Sequence, residues 1–190
     1  MHDISHPQNE RKPMDFEQLV NDYYQDLYRF GLSLSRAQAD ACDLVQQTFA
    51  LWAEKGHQLR NKSKVKSWLF TTLYREFIRG RKRADRFPHL ELTEVETELP
   101  TTEPNAVSRL EAMDVMDALG QVDETFRVPL SLFFIGNHSY AEIAAIIDVP
   151  MGTVMSRISR GKQQLKEILT TMSAIRSEHE VDANRERRVP

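Results

Sequence analysis

The chain has 190 residues, enough for one medium domain or two small ones, with 28% charged residues, 41% hydrophobic residues and a formal net charge of −3. That overall balance gives no sign of a nucleic-acid partner, and no apolar run approaches the roughly eighteen residues of a membrane-spanning helix. Cys42 is the single cysteine, which excludes an intrachain disulfide framework and fits a reducing compartment.

Residues 1–13 are polar and lack the apolar stretch of a secretory signal, so a cytoplasmic protein with a disordered leading segment is expected. Asp15 is placed to cap a helix running to about Leu34, with a stripe of Phe16, Leu19, Val20, Tyr23, Leu27, Phe30 and Leu34. A second helix is predicted from Ala39 to about Leu59, with Cys42, Val45, Phe49 and Trp52 inward and Gln46, Gln47, Glu54 and Lys55 elsewhere. After a basic loop from His57 to Lys64, a third helix is predicted from Val65 to Arg83. Its apolar face is Val65, Trp68, Leu69, Leu73, Phe77 and Ile78, and most of the rest is basic.

From Asp85 to Asn105 the periodicity fails; three prolines and five glutamates leave little to bury, and the stretch reads as a flexible linker. Helices resume at Ala106–Leu119 and at about Glu124–Ile135. Pro129 lies inside the latter, and a kink or a late start is expected there. The charged stretch after Met172 shows no core face. Charge is segregated along the chain. Residues 60–86 carry ten basic and two acidic side chains, whereas residues 91–124 carry ten acidic and one basic, a pattern of basic working surfaces around an acidic spacer.

Ser139 to Leu165 holds the most informative pattern. Tyr140, Ile143, Ala144 and Ile147 have helix spacing, Asp148-Val149-Pro150 interrupts it, and Val154, Ile158 and Leu165 resume it. Ser139 followed by Glu142 is a capping box, and Pro150 suits the entry of the second helix. Two short helices around a tight turn read as a helix-turn-helix whose second helix enters a major groove. Thr153, Ser156, Arg157 and Arg160 share one polar face, and from Pro150 to Lys166 there are four basic residues and no acidic one. Arginine bonds guanine bidentately, and serine or threonine reaches bases or phosphates. The plainer alternative is a helical hairpin with a solvated basic face.

These residues resemble region 4 of the bacterial sigma-70 family, extracytoplasmic-function (ECF) group. Tyr140, Glu142, Ile143, Ala144, Pro150, Gly152, Thr153, Val154, Ser156, Arg157 and Arg160 match the family pattern. Asp148 stands for the usual turn glycine, Met155 for a common Lys or Arg, and Gly161-Lys162 for Ala-Arg. The stretch from Asp43 to Phe49 similarly resembles sigma region 2.2. Val65 to Arg83 resembles regions 2.3 and 2.4, with Arg75 and Arg79 where the family commonly has Asn and Asp. Together the resemblances span residues 15–83 and 106–169.

The resemblance implies an all-α protein of two small helical domains: region 2 over residues 14–84 and a region 4 helix-turn-helix over 106–172. Tails at 1–13 and 173–190 and the acidic linker 85–105 complete the chain. It implies a sigma factor that directs core RNA polymerase to promoters and opens the duplex, with promoter DNA as target, an anti-sigma factor as a further partner, no cofactor and no membrane insertion. Thr153, Met155, Ser156, Arg157, Arg160 and Lys162 would read the −35 element. Asn61, Lys62, Lys64, Lys66, Arg75, Arg79 and Arg83 would bind and melt the −10 element. Asp43, Leu44, Gln46 and Gln47 would grip polymerase, while Phe49, Trp52 and Trp68 read as core residues. The linker is expected to thread towards the RNA exit path, with its five glutamates mimicking nucleic-acid charge. The rival reading is a stand-alone helix-turn-helix regulator acting without polymerase. An enzyme is not indicated, since the six histidines are scattered, no metal-ligand spacing occurs and no glycine-rich phosphate loop is present.

Overall fold

The computed structural model describes residues 15–86 and 106–186, the side chains of Asp85, 106–113 and 177–186 excepted. Among the described residues the chain is helical, with no strand. The first lobe holds α1 (Phe16–Ser35), α2 (Gln38–Lys55) and α3 (Val65–Arg86); two 3-10 turns, Gly56–Gln58 and Lys62–Lys64, lead into α3. The second holds α4 (Ala106–Gln121), α5 (Glu124–Phe134), α6 (Tyr140–Ile147) and α7 (Met151–Glu186). The predicted linker, including the glutamates assigned to charge mimicry, lies almost wholly outside the described residues.

Each helix starts and stops for a local reason. Asp15 caps α1 by accepting from the Glu17 amide at 3.1 Å. Arg36 ends it in the left-handed region at φ 62°. Gly31 faces Ala41, where an added Cβ would lie 3.4 Å from the Ala41 carbonyl, so α1 and α2 cross closely. The second helix is shorter than its pattern suggests, because the chain tightens into a 3-10 turn at Gly56 beneath the Trp52 ring. Helix α5 starts at Glu124, directly after Asp123, and runs through a buried Pro129, so the anticipated late start does not occur. Proline loses only the bond to the residue 125 carbonyl, on exposed Thr125.

The Ser139 side chain accepts from the Glu142 amide at 3.3 Å, while the Glu142 carboxylate accepts from the Ser139 amide at 2.9 Å and from its hydroxyl at 2.8 Å. Asp148, standing in place of the usual turn glycine, takes the left-handed conformation at φ 53°. Gly161 is buried where α7 meets α5; a Cβ there would sit 3.3 Å from the Phe126 carbonyl and from Leu130, so its absence lets the two helices lie close. The last helix does not stop near Met172 but runs to Glu186. Its Arg176 guanidinium lies 2.6 Å from Asp114 on α4, tying a length of helix that has no apolar stripe to the rest of the lobe.

Leu19, Leu27, Phe30, Val45, Val65, Leu69, Phe70 and Leu73 are almost fully buried in the first lobe, and Leu130, Leu132, Ile143, Val154 and Ile158 in the second. Phe49 is in the core as expected, and Trp52 and Trp68 are half-buried edge to face, with ring centroids 5.2 Å apart. The two lobes share one continuous core: α1 packs on α4 and α5, and α3 packs on α6.

Candidate nucleic-acid interface

The candidate surfaces lie on three helices. On α2, Asp43, Gln46 and Gln47 are exposed side by side, as a partner-binding face requires, but Leu44 is not among them. It is only 8% exposed and belongs to the core, because its position falls on the stripe with Ala41, Val45, Thr48 and Phe49. Leu44 is therefore withdrawn from the polymerase-binding set.

The basic loop and α3 present Asn61, Lys62, Lys64, Arg75, Arg79 and Arg83 to solvent. Asn61 and Arg79 have local duties. The Asn61 carbonyl oxygen caps the 3-10 turn, accepting from the Ser63 amide at 3.0 Å and hydroxyl at 2.7 Å, which leaves its amide nitrogen for an outside acceptor. Arg79 reaches both oxygens of Glu76 at 3.0 and 3.1 Å, which offsets the charge gained by having arginine there. Lys66 is half-buried and faces the second lobe near His138.

On α7, Val154 and Ile158 point inward, and the six candidate side chains divide around the helix. Thr153, Ser156, Arg157 and Arg160 fall on one side. Met155 and Lys162 fall on the other, Met155 lying about 140° from Arg160 at 3.6 residues per turn. The Lys162 ammonium lies 4.7 Å from the Phe133 ring centroid and 5.4 Å from that of Phe134. Ser156 and Arg160 are exposed, whereas Thr153 and Arg157 are half-buried. The Ser156 hydroxyl donates to the Thr153 carbonyl at 2.9 Å. Arg157 lines a cleft of about 400 Å³ between the lobes with Tyr74, Glu124, Thr125, Val128, Pro129 and Ile147.

That cleft is part of a seam that no local pattern of residues indicates. The Ser67 hydroxyl donates to Glu142 at 3.2 Å across it, and Arg81 on α3 pairs with Glu124 on α5. Phe70 meets the His138 ring edge-on at 4.8 Å and touches Phe30 at 5.3 Å. His138 is 3% exposed and its Nε2 has no hydrogen-bond partner. Burial pushes its pKa down to about 4, Glu142 opposing the fall and Lys66 adding to it. The imidazole is therefore neutral at pH 7, and its Nδ1, 3.9 Å from Glu142, forms no ion pair there. Hydrogen bonds from the Ser139 backbone and side chain hold the Glu142 carboxyl below its usual range. Arg127, also missed in the sequence, is 2% exposed and donates to the Gly120 and Val122 carbonyls at 2.8 and 3.1 Å, so a buried cation braces the α4–α5 turn.

A two-lobed helical chain with a capped helix-turn-helix in the second lobe and an exposed polar helix face in the first narrows the choice of family. Residues 19–87 match the family described as Sigma-70 region 2, and residues 112–165 match Sigma-70, region 4. The chain belongs to the sigma-70 family.

Among this chain's relatives, the ECF RNA polymerase sigma factor SigE of Mycolicibacterium smegmatis is 34% identical over 169 residues, covering 84% of this chain and 63% of the relative. The chain thus spans less than two thirds of that relative's length. The ECF RNA polymerase sigma factor SigM of Bacillus subtilis is 26% identical over 160 residues, covering 82% of this chain and 95% of the relative. Among solved structures, the sigma factor RpoE of Bartonella quintana, crystallised with the anti-sigma factor NepR, superposes with a TM-score of 0.64 at 29% identity. That match covers 82% of this chain and 97% of the other. No described helix is long and apolar enough to cross a membrane.

Proposed function

We propose that this protein directs core RNA polymerase to promoters, the first lobe gripping polymerase and opening the −10 element while the second reads the −35 element. The observation that carries the reading is the pair of sigma-70 matches in order, one in each lobe. The exposed Asp43, Gln46 and Gln47 and the exposed cationic face of α7 support it. A region 2 lobe has no use in a regulator that acts without polymerase. Asp43, Gln46 and Gln47 are the polymerase contacts in this reading. Arg75, Arg83, Lys62 and Lys64 bind phosphates, Asn61 offers its amide to a base, and Ser156 and Arg160 lead the −35 contacts. An anti-sigma factor is the natural inhibitor.

The closed seam bears on the mechanism. Elements named −35 and −10 are centred about 25 base pairs apart, roughly 85 Å of duplex at 3.4 Å per base pair. In the described arrangement Tyr74 on α3 and Arg157 on α7 line one cleft. The two reading helices therefore cannot serve both elements until the lobes part. Residues 87–105, fully extended at up to about 3.6 Å each, span at most about 68 Å, and the outer half of α3 adds about 18 Å, so the covalent connection just permits the opened reach. Parting the lobes also frees Arg157 for DNA. Run-off transcription with core polymerase and a promoter library tests the proposal. Initiation at chosen sites supports it; failure both to bind core polymerase and to start RNA synthesis defeats it.

A further inference from the structure

Glu124 is the first residue of α5, and it stands where the two helices with cationic faces approach each other. Its carboxylate pairs with Arg81 of α3, in the other lobe, and the Arg81 guanidinium also lies 5.7 Å over the Phe77 ring. Glu124 shares the cleft between the lobes with Tyr74 and with half-buried Arg157 of α7. The Tyr74 hydroxyl feels all three charges: burial raises its pKa, Glu124 adds to the rise, and Arg157 and Arg81 oppose it. One carboxylate thus lies close to an arginine from each reading helix.

The other acids of the seam are engaged elsewhere. Asp123 accepts from the Gln164 side chain at 2.7 Å, and Glu142 is held by Ser139 and Ser67. Arg127 adds a further cation at this end of α5; burial lowers its pKa, Arg36 and Arg81 lower it further, and Glu124 opposes them. Without the Glu124 charge, closing the seam would press guanidinium groups together. The contact between Phe70 and His138 also holds the lobes, but it occupies neither Arg81 nor Arg157.

DNA makes a claim on the same groups. Arginine forms charge-assisted hydrogen bonds with carboxylate and phosphate alike. An arginine held in the closed seam is not available to a duplex, so closure and DNA binding are competing uses of these cations, and each weakens the other.

We propose that Glu124 is an internal substitute for DNA phosphate, holding Arg81 and Arg157 in the closed seam and keeping the free chain from promoter DNA until polymerase parts the lobes. The inference rests on the sigma-factor reading and deepens it by naming the residue that keeps the reading helices unavailable.

The test uses the full chain and Glu124→Gln, which keeps the shape of the side chain and removes its charge. Binding to a duplex carrying a −35 element, chosen beforehand with the assembled polymerase, is measured by fluorescence anisotropy for the free chain and again after assembly with core polymerase. A half-exposed ion pair is worth up to about a factor of five, and apparent affinity rises with the open fraction, so the free variant should bind about five-fold tighter than wild type. The assembled enzyme, its lobes already apart, should show no change, and the gain of the free chain should vanish in an Arg157→Ala background. Small-angle scattering should show the free variant more extended at unchanged far-UV circular dichroism. No gain in the free chain, a gain that survives Arg157→Ala, or an equal gain in the assembled enzyme overturns the proposal; the last result would mean that Glu124 repels DNA directly. A variant that expands in scattering, although polymerase selects no promoter with either chain, leaves the lock standing and overturns the sigma-factor reading.

Discussion

His138 makes the seam between the lobes sensitive to acid. It is buried against Phe70, with Glu142 on α6 and Lys66 on α3 as its charged neighbours, and its pKa lies near 4 against an ordinary 6.5. The closed arrangement therefore resists protonation that the open one accepts. Above pH 6.5 neither state binds the proton and the seam is unaffected. Between 6.5 and 4 the open state binds more protons, so closure weakens as the pH falls. If opening restores ordinary solvation, the loss is about 2 kcal/mol at pH 5, a thirty-fold change in the ratio of closed to open chains, and about 3.4 kcal/mol below pH 4. Glu142 acts in the same direction but in a lower window. Its carboxyl is depressed below 4.5, so its contribution is present above that value and is lost only as the pH falls further. A comparison of pH 7 with pH 5 thus isolates the histidine. Small-angle scattering should show the radius of gyration increasing over that interval while far-UV circular dichroism stays constant. His138→Phe, which keeps a ring against Phe70 and removes the titration, should stay compact at both values. An unchanged wild-type radius, or the same expansion in the phenylalanine variant, refutes the reasoning.

Leu44→Ala should cost about 2–5 kcal/mol in urea unfolding through the cavity it leaves, whereas replacing both Gln46 and Gln47 by Ala should leave stability within about 0.5 kcal/mol and weaken binding to core polymerase in a pull-down titration. Ser139→Ala removes the cap of α6 and should cost about 1 kcal/mol by the same unfolding measurement. Arg160→Ala should cost about 1–3 kcal/mol at a selected −35 site if a base contact is lost; an equal loss on all sequences would mark a phosphate contact instead. Arg81→Ala should change stability by less than about 1 kcal/mol, because the pair with Glu124 is half exposed and screened.

Local signals were sufficient wherever a residue acts on its own segment. The Asp15 cap, the Ser139–Glu142 box and the left-handed turn at Asp148 depend on neighbours within a few residues, and all three could be read directly. Apart from Phe16, which is exposed at the first turn of α1, the apolar stripes of α1 and α3 and the inward Val154 and Ile158 follow from helical period alone. Leu44 was misjudged because a motif was carried over whole, although its own stripe places it inside. The length of α7 was underestimated because a charged segment shows no core face, yet Asp114 on another helix holds Arg176 in place.

The helices, their caps, the helix-turn-helix and the family were all legible before folding, since each is written in spacings of one to a few residues. Tertiary structure decided which candidate side chains are free to meet DNA, because burial depends on what another part of the chain brings up against them. Arg157 and Lys66 are turned towards the seam, and Met151 and Met155 are left in the open. It also placed Phe70, His138 and Glu142 together from positions some seventy residues apart, a distance over which no local pattern of polar and apolar residues carries information.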